Sequence, residues 1–251
     1  MKKLPLVALA LLLAACAAAP LHTTKAGLVE YAGAQKTIFE TGKAEQTVSI
    51  ATMTACPGAS GVGAVAGLDG EITVYQGRPY ITKIRGDNFK VLEGQDQGAV
   101  FAVWTCQSKW REETIPSDVK GYVELQDYVK ARAAAAGIDI GKPFAFQLSG
   151  TPAELKWHVN LDLSEGRPIT SEIYAKSKAN FVLKNQAVDI VGFYSENHPG
   201  VFISALAPAI KKDSQQKNAI HIHLVTKDGS AAGHIDNLTL APGMTLRLPQ
   251  P

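Results

Sequence analysis

Apolar positions recur with two periods along this chain, and the place where the period changes marks its one expected main helix. Over most of the sequence hydrophobic and polar residues alternate, the pattern of half-buried strands. Glu71 to Tyr75 and Pro79 to Ile84 alternate on either side of Gln76-Gly77 and read as a hairpin. "AVFAVWTC", Ala99 to Cys106, is apolar throughout, as in a strand covered on both faces. Thr47 to Ile50, Phe144 to Leu148, Leu155 to Leu161, Phe181 to Leu183, Val188 to Tyr194 and Val201 to Leu206 carry further strand signals, and "NLTLAPGMTLRL" continues them. Between Val119 and Ala136 the spacing becomes three and four, through Tyr122, Leu125, Tyr128 and Val129, with an alanine run and a C-capping Gly137. Many strands around one main helix predict an α+β domain built of mostly antiparallel sheets.

The N-terminus follows neither period. Met1-Lys2-Lys3 leads an apolar run, Leu4 to Ala15, too short to span a bilayer and suited to the core of a secretory signal. Leu13-Ala14-Ala15-Cys16 resembles the lipobox of bacterial lipoproteins, so residues 1–15 read as a signal and Cys16 as a lipid-bearing mature N-terminus. The protein is then expected to be exported and anchored to the bacterial membrane, facing the periplasm or exterior. Cleavage among the alanines up to Ala19 is the alternative and would leave it secreted. Residues 16–45, rich in Ala, Gly, Thr and Lys, read as a tether, and residues 46–251 as the folded domain.

Composition narrows the function classes. A chain of 251 residues, 46% hydrophobic and 19% charged with a formal net charge of +2, is ordinary for a globular protein of one large or two small domains. No basic cluster supports nucleic-acid binding. "GASGVGAVAG" resembles a phosphate-cradling loop but lacks the Gly-Lys-Ser/Thr ending and leads into no helical pattern. Cys56 and Cys106 are expected in an oxidising compartment; a bridge and two buried thiols both stay open, because sequence does not fix the Cα separation of roughly 4.4 to 6.8 Å a bridge needs. A homodimer is also open to the chain, and nothing in the sequence requires it.

The candidate chemistry lies in "HIHLVTKDGSAAGHI", which holds three of the six histidines. His221 and His223 share a strand face. With Asp228-Gly229 at the centre of a turn, counting outward sets His223 opposite His234, Cβ atoms roughly 5 Å apart. All three imidazoles then converge, unless a bulge in Ala231-Ala232-Gly233 shifts the register. Three neutral imidazoles with no cysteine nearby match a divalent-metal site that keeps a position open for water or substrate; the plainer alternative is strand histidines satisfied by backbone or water. His198, before a proline turn, and His22, in the tether, read as non-ligands. Trp104 and Trp157 read as core or pocket wall.

Three stretches together resemble the acetolactate decarboxylase family: "GLDGEITVYQGRPY", "VDIVGFYSENHPGV" and the histidine hairpin, with "PFAFQLSG" also fitting, over roughly residues 47–242. The resemblance implies a two-sheet α+β fold, Zn2+ held by His221, His223 and His234, an active-site glutamate at Glu71, and conversion of 2-acetolactate to acetoin and carbon dioxide. The implied partner is a small 2-hydroxy-3-oxo acid, with contact to a membrane only through Cys16. The departures are specific. His158, in "LKWH", stands where the family's arginine is expected, with Lys156 and Arg167 as displaced alternatives; Ala64 stands at an expected threonine; no glutamate follows Glu196. His158, protonated, is the expected anion contact beside Glu71 in proton transfer. A second reading is a lipid-anchored accessory protein that binds metal or a small hydroxy acid and has lost decarboxylation.

Overall fold

The computed structural model describes residues 22–23, 29–198 and 218–250. The leader, Cys16 and the strand expected at Val201 to Leu206 lie outside the described residues. The first half of the chain builds one antiparallel sheet from β1 His22–Thr23, β2 Glu30–Ala32, β3 Val48–Ser49, β4 Ser60–Val65, β5 Glu71–Tyr75, β6 Arg78–Arg85, β7 Asn88–Leu92 and β8 Gly98–Thr105, in the order β1-β2-β8-β4-β5-β6-β7 with β3 also on β8. The second half builds another from β9 Trp110–Thr114, β10 Phe144–Gly150, β11 Glu154–Asn160, β12 Lys178–Lys184, β13 Val188–Tyr194, β14 Ile220–Thr226, β15 Ala232–Thr239 and β16 Thr245–Pro249, in the order β12-β11-β15-β14-β13-β10-β16-β9. Among the described residues four α-helices accompany them: α1 Gln35–Thr41, α2 Ile50–Met53, α3 Tyr122–Ala135 and α4 Ser171–Lys176. The fold is therefore the expected α+β architecture of two mostly antiparallel sheets.

The sheets face each other, and alternation along each strand assigns its side chains to layers. Val62, Tyr75, Tyr80 and Val103 of the first sheet pack with Ala145, Val191, Phe193, Val225 and Ala232 of the second. On the far side of the second sheet, Leu125, Val129 and Ala133 of α3 share a core with Phe146, Leu148, Ile222, Leu224 and Ile235. In β14, Ile222 and Leu224 thus point to the helix layer, which leaves His221, His223 and Val225 on the face toward the first sheet. Polar bonds also tie the layers together, with Thr82 Oγ1 donating to the Ala232 carbonyl at 2.6 Å and Gln147 Nε2 to Ser60 Oγ at 2.9 Å.

Several boundaries differ from expectation for local reasons. From Val29 onward the expected tether is folded: Glu30–Ala32 pairs with β8, and Ile38 of α1 is buried with Phe101 and Tyr174. A short amphipathic turn packed on other elements shows too few periods to stand out in sequence. The strand expected at Thr47 to Ile50 stops at Ser49, whose side chain accepts the Thr52 N–H and starts α2. The main helix begins at Tyr122, three residues late, after Gly121 has bridged to Thr239, and ends before Gly137, whose φ of 78° suits the position past a C-cap. The glycine-rich stretch set aside as a phosphate loop is β4: a Cβ at Gly63 would lie 2.6 Å from the Phe101 carbonyl oxygen, so the close approach to β8 needs glycine. Cys56 and Cys106 form a disulfide, Cα atoms 5.8 Å apart, which closes the alternative of free thiols.

Candidate metal centre

The histidine hairpin keeps the register its turn dictates. Val225 pairs with Ala232, Leu224 with Gly233 and His223 with His234. Thr226 N–H donates to the Ala231 carbonyl at 2.9 Å, and Asp228 Oδ1 accepts the Ser230 N–H at 3.0 Å across the loop. No bulge interrupts Ala231 to Gly233. The bulge falls later, at Asp236: Lys156 pairs with Asn237 and Trp157 with Ile235, leaving Asp236 as the extra residue. His158 pairs with His234 directly. His158, His234 and His223 therefore form a row across three adjacent strands, joined by His221 two residues along β14.

These imidazoles crowd one point. Ring centroids are 4.7 Å apart for His158 and His234, 4.8 Å for His221 and His234, 5.1 Å for His221 and His223, and 5.3 Å for His223 and His234. Ligand atoms of His221, His223 and His234 all lie within 4.8 Å of one another, and the His221 and His223 Nε2 atoms are 3.2 Å apart. That separation is close to the edge of about 3.3 Å expected for a tetrahedron with metal–nitrogen bonds of about 2.05 Å. His223 is 0% exposed, and burial together with the neighbouring imidazoles holds His223 and His234 well below the usual histidine range, hence neutral. Across the layer, Thr73 Oγ1 meets His223 Nδ1 at 3.1 Å, a contact that orients the ring and leaves Nε2 inward. Donor type, spacing and protonation state all fit a divalent ion.

An acid group closes the site from the first sheet. Glu71, the first residue of β5, is 3% exposed; its Oε2 lies 3.7 Å from His223 Nε2 and its Oε1 3.8 Å from His158 Nε2. Burial raises this carboxyl well above the usual range, against the opposing pull of the Lys178 charge and of hydrogen bonds from the Asn160 backbone and side chain. Tyr174 extends the network: its hydroxyl accepts from Gln35 Nε2 at 2.8 Å and contacts the Asn160 amide. On the other flank His158 Nδ1 meets Asp236 Oδ2 at 2.7 Å, the bulge having aimed that carboxylate at the ring. Burial nonetheless lowers the His158 pKa, against the pull of Asp236, which works against the protonated anion contact expected there.

The structure thus brings five of the sequence-derived residues together: Glu71, His158, His221, His223 and His234. Ala64, where a threonine was expected, sits directly opposite Glu71 in β4. Lys156 and Arg167, the displaced alternatives, are exposed and engaged with Glu154 and Glu165. His198 lies elsewhere, with Nδ1 on Ser195 Oγ at 2.8 Å and its ring against Tyr31. Trp104 and Trp157 are core residues. Sequence reasoning missed Thr73, Asn160, Asp236 and Lys178. Thr73 and Asn160 follow a recognised site residue by two positions, which strand periodicity could have flagged; Asp236 sits at the bulge, and Lys178 carried no signal.

Comparisons with known proteins agree with this geometry. No curated protein matches the chain in sequence. Among solved structures, a protein of unknown function from Staphylococcus aureus, described as similar to alpha-acetolactate decarboxylase, aligns with a TM-score of 0.63 at 19% identity over 88% of this chain and 84% of that one. The alpha-acetolactate decarboxylase of Bacillus subtilis strain 168 aligns with a TM-score of 0.68 at 14% identity, covering 88% and 85%. The enzyme from Bacillus subtilis subspecies spizizenii gives 0.67 at 14% identity with the same coverage. At these identities the structures establish a shared fold, and it is the sequence profile of the alpha-acetolactate decarboxylases, matching residues 35–248, by which this chain belongs to that family.

Proposed function

We propose that the protein is a metal-dependent carboxy-lyase that converts 2-acetolactate, or a related 2-hydroxy-3-oxo acid, to acetoin or its analogue and carbon dioxide. The observation that carries this reading is a buried carboxyl, Glu71, 3% exposed and 3.7 Å from an imidazole of a three-histidine cluster, where burial raises its pKa above the usual carboxylate range. Decarboxylation breaks a C–C bond, releases carbon dioxide and leaves the electron pair on carbon, so the product needs one proton. Glu71 is placed to give that proton, and its burial keeps bulk water from competing. A divalent ion on His221, His223 and His234, zinc in this proposal, would supply Lewis acidity toward adjacent hydroxyl and keto oxygens. Thr73 and Asp236 orient the rings of His223 and His158, and Asn160 fixes the Glu71 carboxyl.

Zinc-loaded protein is expected to release acetoin and carbon dioxide from 2-acetolactate. Glu71→Gln should lower turnover by roughly 100-fold or more while metal content is kept. Absence of any acetoin from the loaded protein would sink the proposal. A second reading, an accessory protein that binds metal or a hydroxy acid without turnover, is favoured by Ala64 opposite Glu71 and by the burial that lowers the His158 pKa; measurable turnover that depends on Glu71 excludes it. The proposal also places the protein outside the cytoplasm, on the strength of the Met1 to Cys16 leader, and mass spectrometry of the membrane fraction for an acylated Cys16 tests that.

A further inference from the structure

A 2-hydroxy-3-oxo acid arrives as an anion. In the proposed reading the divalent ion would face its hydroxyl and keto oxygens, which leaves the carboxylate to side chains around the histidine cluster. Among the described residues the nearby cations can be taken in turn. Lys83 is buried but committed to Asp69 at 2.6 Å and Gln97 at 3.0 Å. Lys156 is exposed, 3.9 Å from Glu154. Arg167 is exposed, and its Nε donates to the Ser164 carbonyl at 2.9 Å.

Lys178 is different. It opens β12, directly opposite Asn160 of β11, and directly paired residues share a sheet face. The Asn160 side chain reaches Glu71 on that face. The chain just before Lys178 is pinned, since Leu161 N–H donates to the Ser177 carbonyl at 3.1 Å. The Lys178 side chain is 26% exposed, at the rim, and its Nζ lies 3.8 Å from Asp236 Oδ1, too far for a hydrogen bond. Its three N–H donors make no hydrogen bond to the described residues. Beside it, Asn160 is 2% exposed, yet its Oδ1 has no partner among the described residues. An ammonium at the rim whose ion pair with Asp236 is too long for a hydrogen bond, and an unpartnered buried acceptor next to it, match the carboxylate and hydroxyl of one small hydroxy acid.

We propose that Lys178 binds the substrate carboxylate, with Asn160 Oδ1 accepting from the adjacent hydroxyl. The inference rests on the decarboxylase reading and adds the specificity residue to it. A single ammonium acts as a point charge, without the bidentate grip of a guanidinium, so the site selects for charge more than for carboxylate orientation.

The test uses full-length, zinc-loaded protein and two unreactive probes: 2,3-dihydroxy-2-methylbutanoate, which lacks the keto group, and its primary amide. Titration calorimetry on the wild type should show the acid bound more tightly than the amide. Lys178→Gln should weaken the acid by roughly 10- to 100-fold, the scale of a lost charged hydrogen bond, and leave amide binding and zinc content unchanged. Lys178→Arg should restore part of the acid's advantage, and Lys156→Gln should change nothing. In turnover the loss should fall on KM more than on kcat. If Lys178→Gln binds the acid as the wild type does, or weakens acid and amide equally, the assignment is wrong while the decarboxylase reading stands. If the wild type binds neither probe and yields no acetoin, both fail.

Discussion

The two faces of the site are held together in different ways. On one, His221, His223 and His234 belong to a single hairpin, and His158 joins them on the next strand by direct pairing with His234. On the other, Glu71 and Thr73 come from the opposite sheet, while Asn160 and Lys178 come from β11 and the edge strand β12. The imidazole face is placed by backbone register, with Thr73 adding one contact to the His223 ring from the opposite sheet. The acid face exists only when two sheets dock, through contacts such as Thr73 on His223 at 3.1 Å and Thr82 on the Ala232 carbonyl at 2.6 Å. It follows that metal holding and substrate handling should be separable by mutation, and that the first can persist in relatives where the second has drifted.

The hardest strike at this contrast is His223→Ala. His223 lies at the middle of the cluster, within reach of His221, His234, Glu71 and Thr73 at once. The variant should lose stoichiometric zinc and all turnover while keeping its far-ultraviolet circular dichroism, because β14 remains paired on both sides. Glu71→Gln should do the reverse, keeping zinc and losing turnover. A His223→Ala protein that still held one equivalent of zinc at wild-type affinity would show that the cluster is not the metal centre.

What could be read from the chain follows the same division. The hairpin was legible because Asp228-Gly229 sets a turn and alternation then sets the register, a purely local inference that reached His223 opposite His234. The two-sheet α+β fold was legible from period alone. Glu71 came only through family likeness, since a glutamate opening a strand carries no local sign of facing an imidazole in another sheet. Lys178 had no signal at all: its place depends on β12 pairing with β11, and that edge strand's alternation extends well beyond the expected Phe181 to Leu183. Asp236 was hidden by a bulge that turns an apparently ordinary strand position toward His158. Residues 29–45 looked like tether because β2 and α1 are short and draw their stability from packing on β8 and α4 rather than from propensity.

A milder strike separates the faces by stability. The Cys56–Cys106 disulfide links the turn after α2 to the end of β8, the strand through the middle of the first sheet, and closes a separation of 50 residues. Chain-entropy arguments put its contribution near 4 kcal/mol. The Cys56→Ser/Cys106→Ser protein should unfold at correspondingly lower denaturant concentration, while the folded fraction still binds zinc with unchanged affinity, since no ligand comes from the first sheet. Loss of zinc affinity in the folded double variant would mean that the first sheet shapes the imidazole cluster more than register does.

The smallest effect probes the one hydrogen bond that joins the faces at the centre. Thr73→Val keeps the β-branched shape of a fully buried position and removes only the hydroxyl that meets His223 Nδ1. A ring without that partner can still ligate through Nε2, but its orientation and tautomer are no longer set from outside. Outer partners of this kind are worth roughly 10- to 100-fold in metal affinity, and here the low end is expected, because pairing on both sides of β14 already fixes the His223 backbone. Competition with a chromophoric chelator should therefore show zinc about 10-fold weaker in Thr73→Val, far short of the loss in His223→Ala. An unchanged affinity would mean that register alone aims the ring, and the faces would then be still more independent; a loss as complete as in His223→Ala would mean that the imidazole cluster cannot form without the opposite sheet.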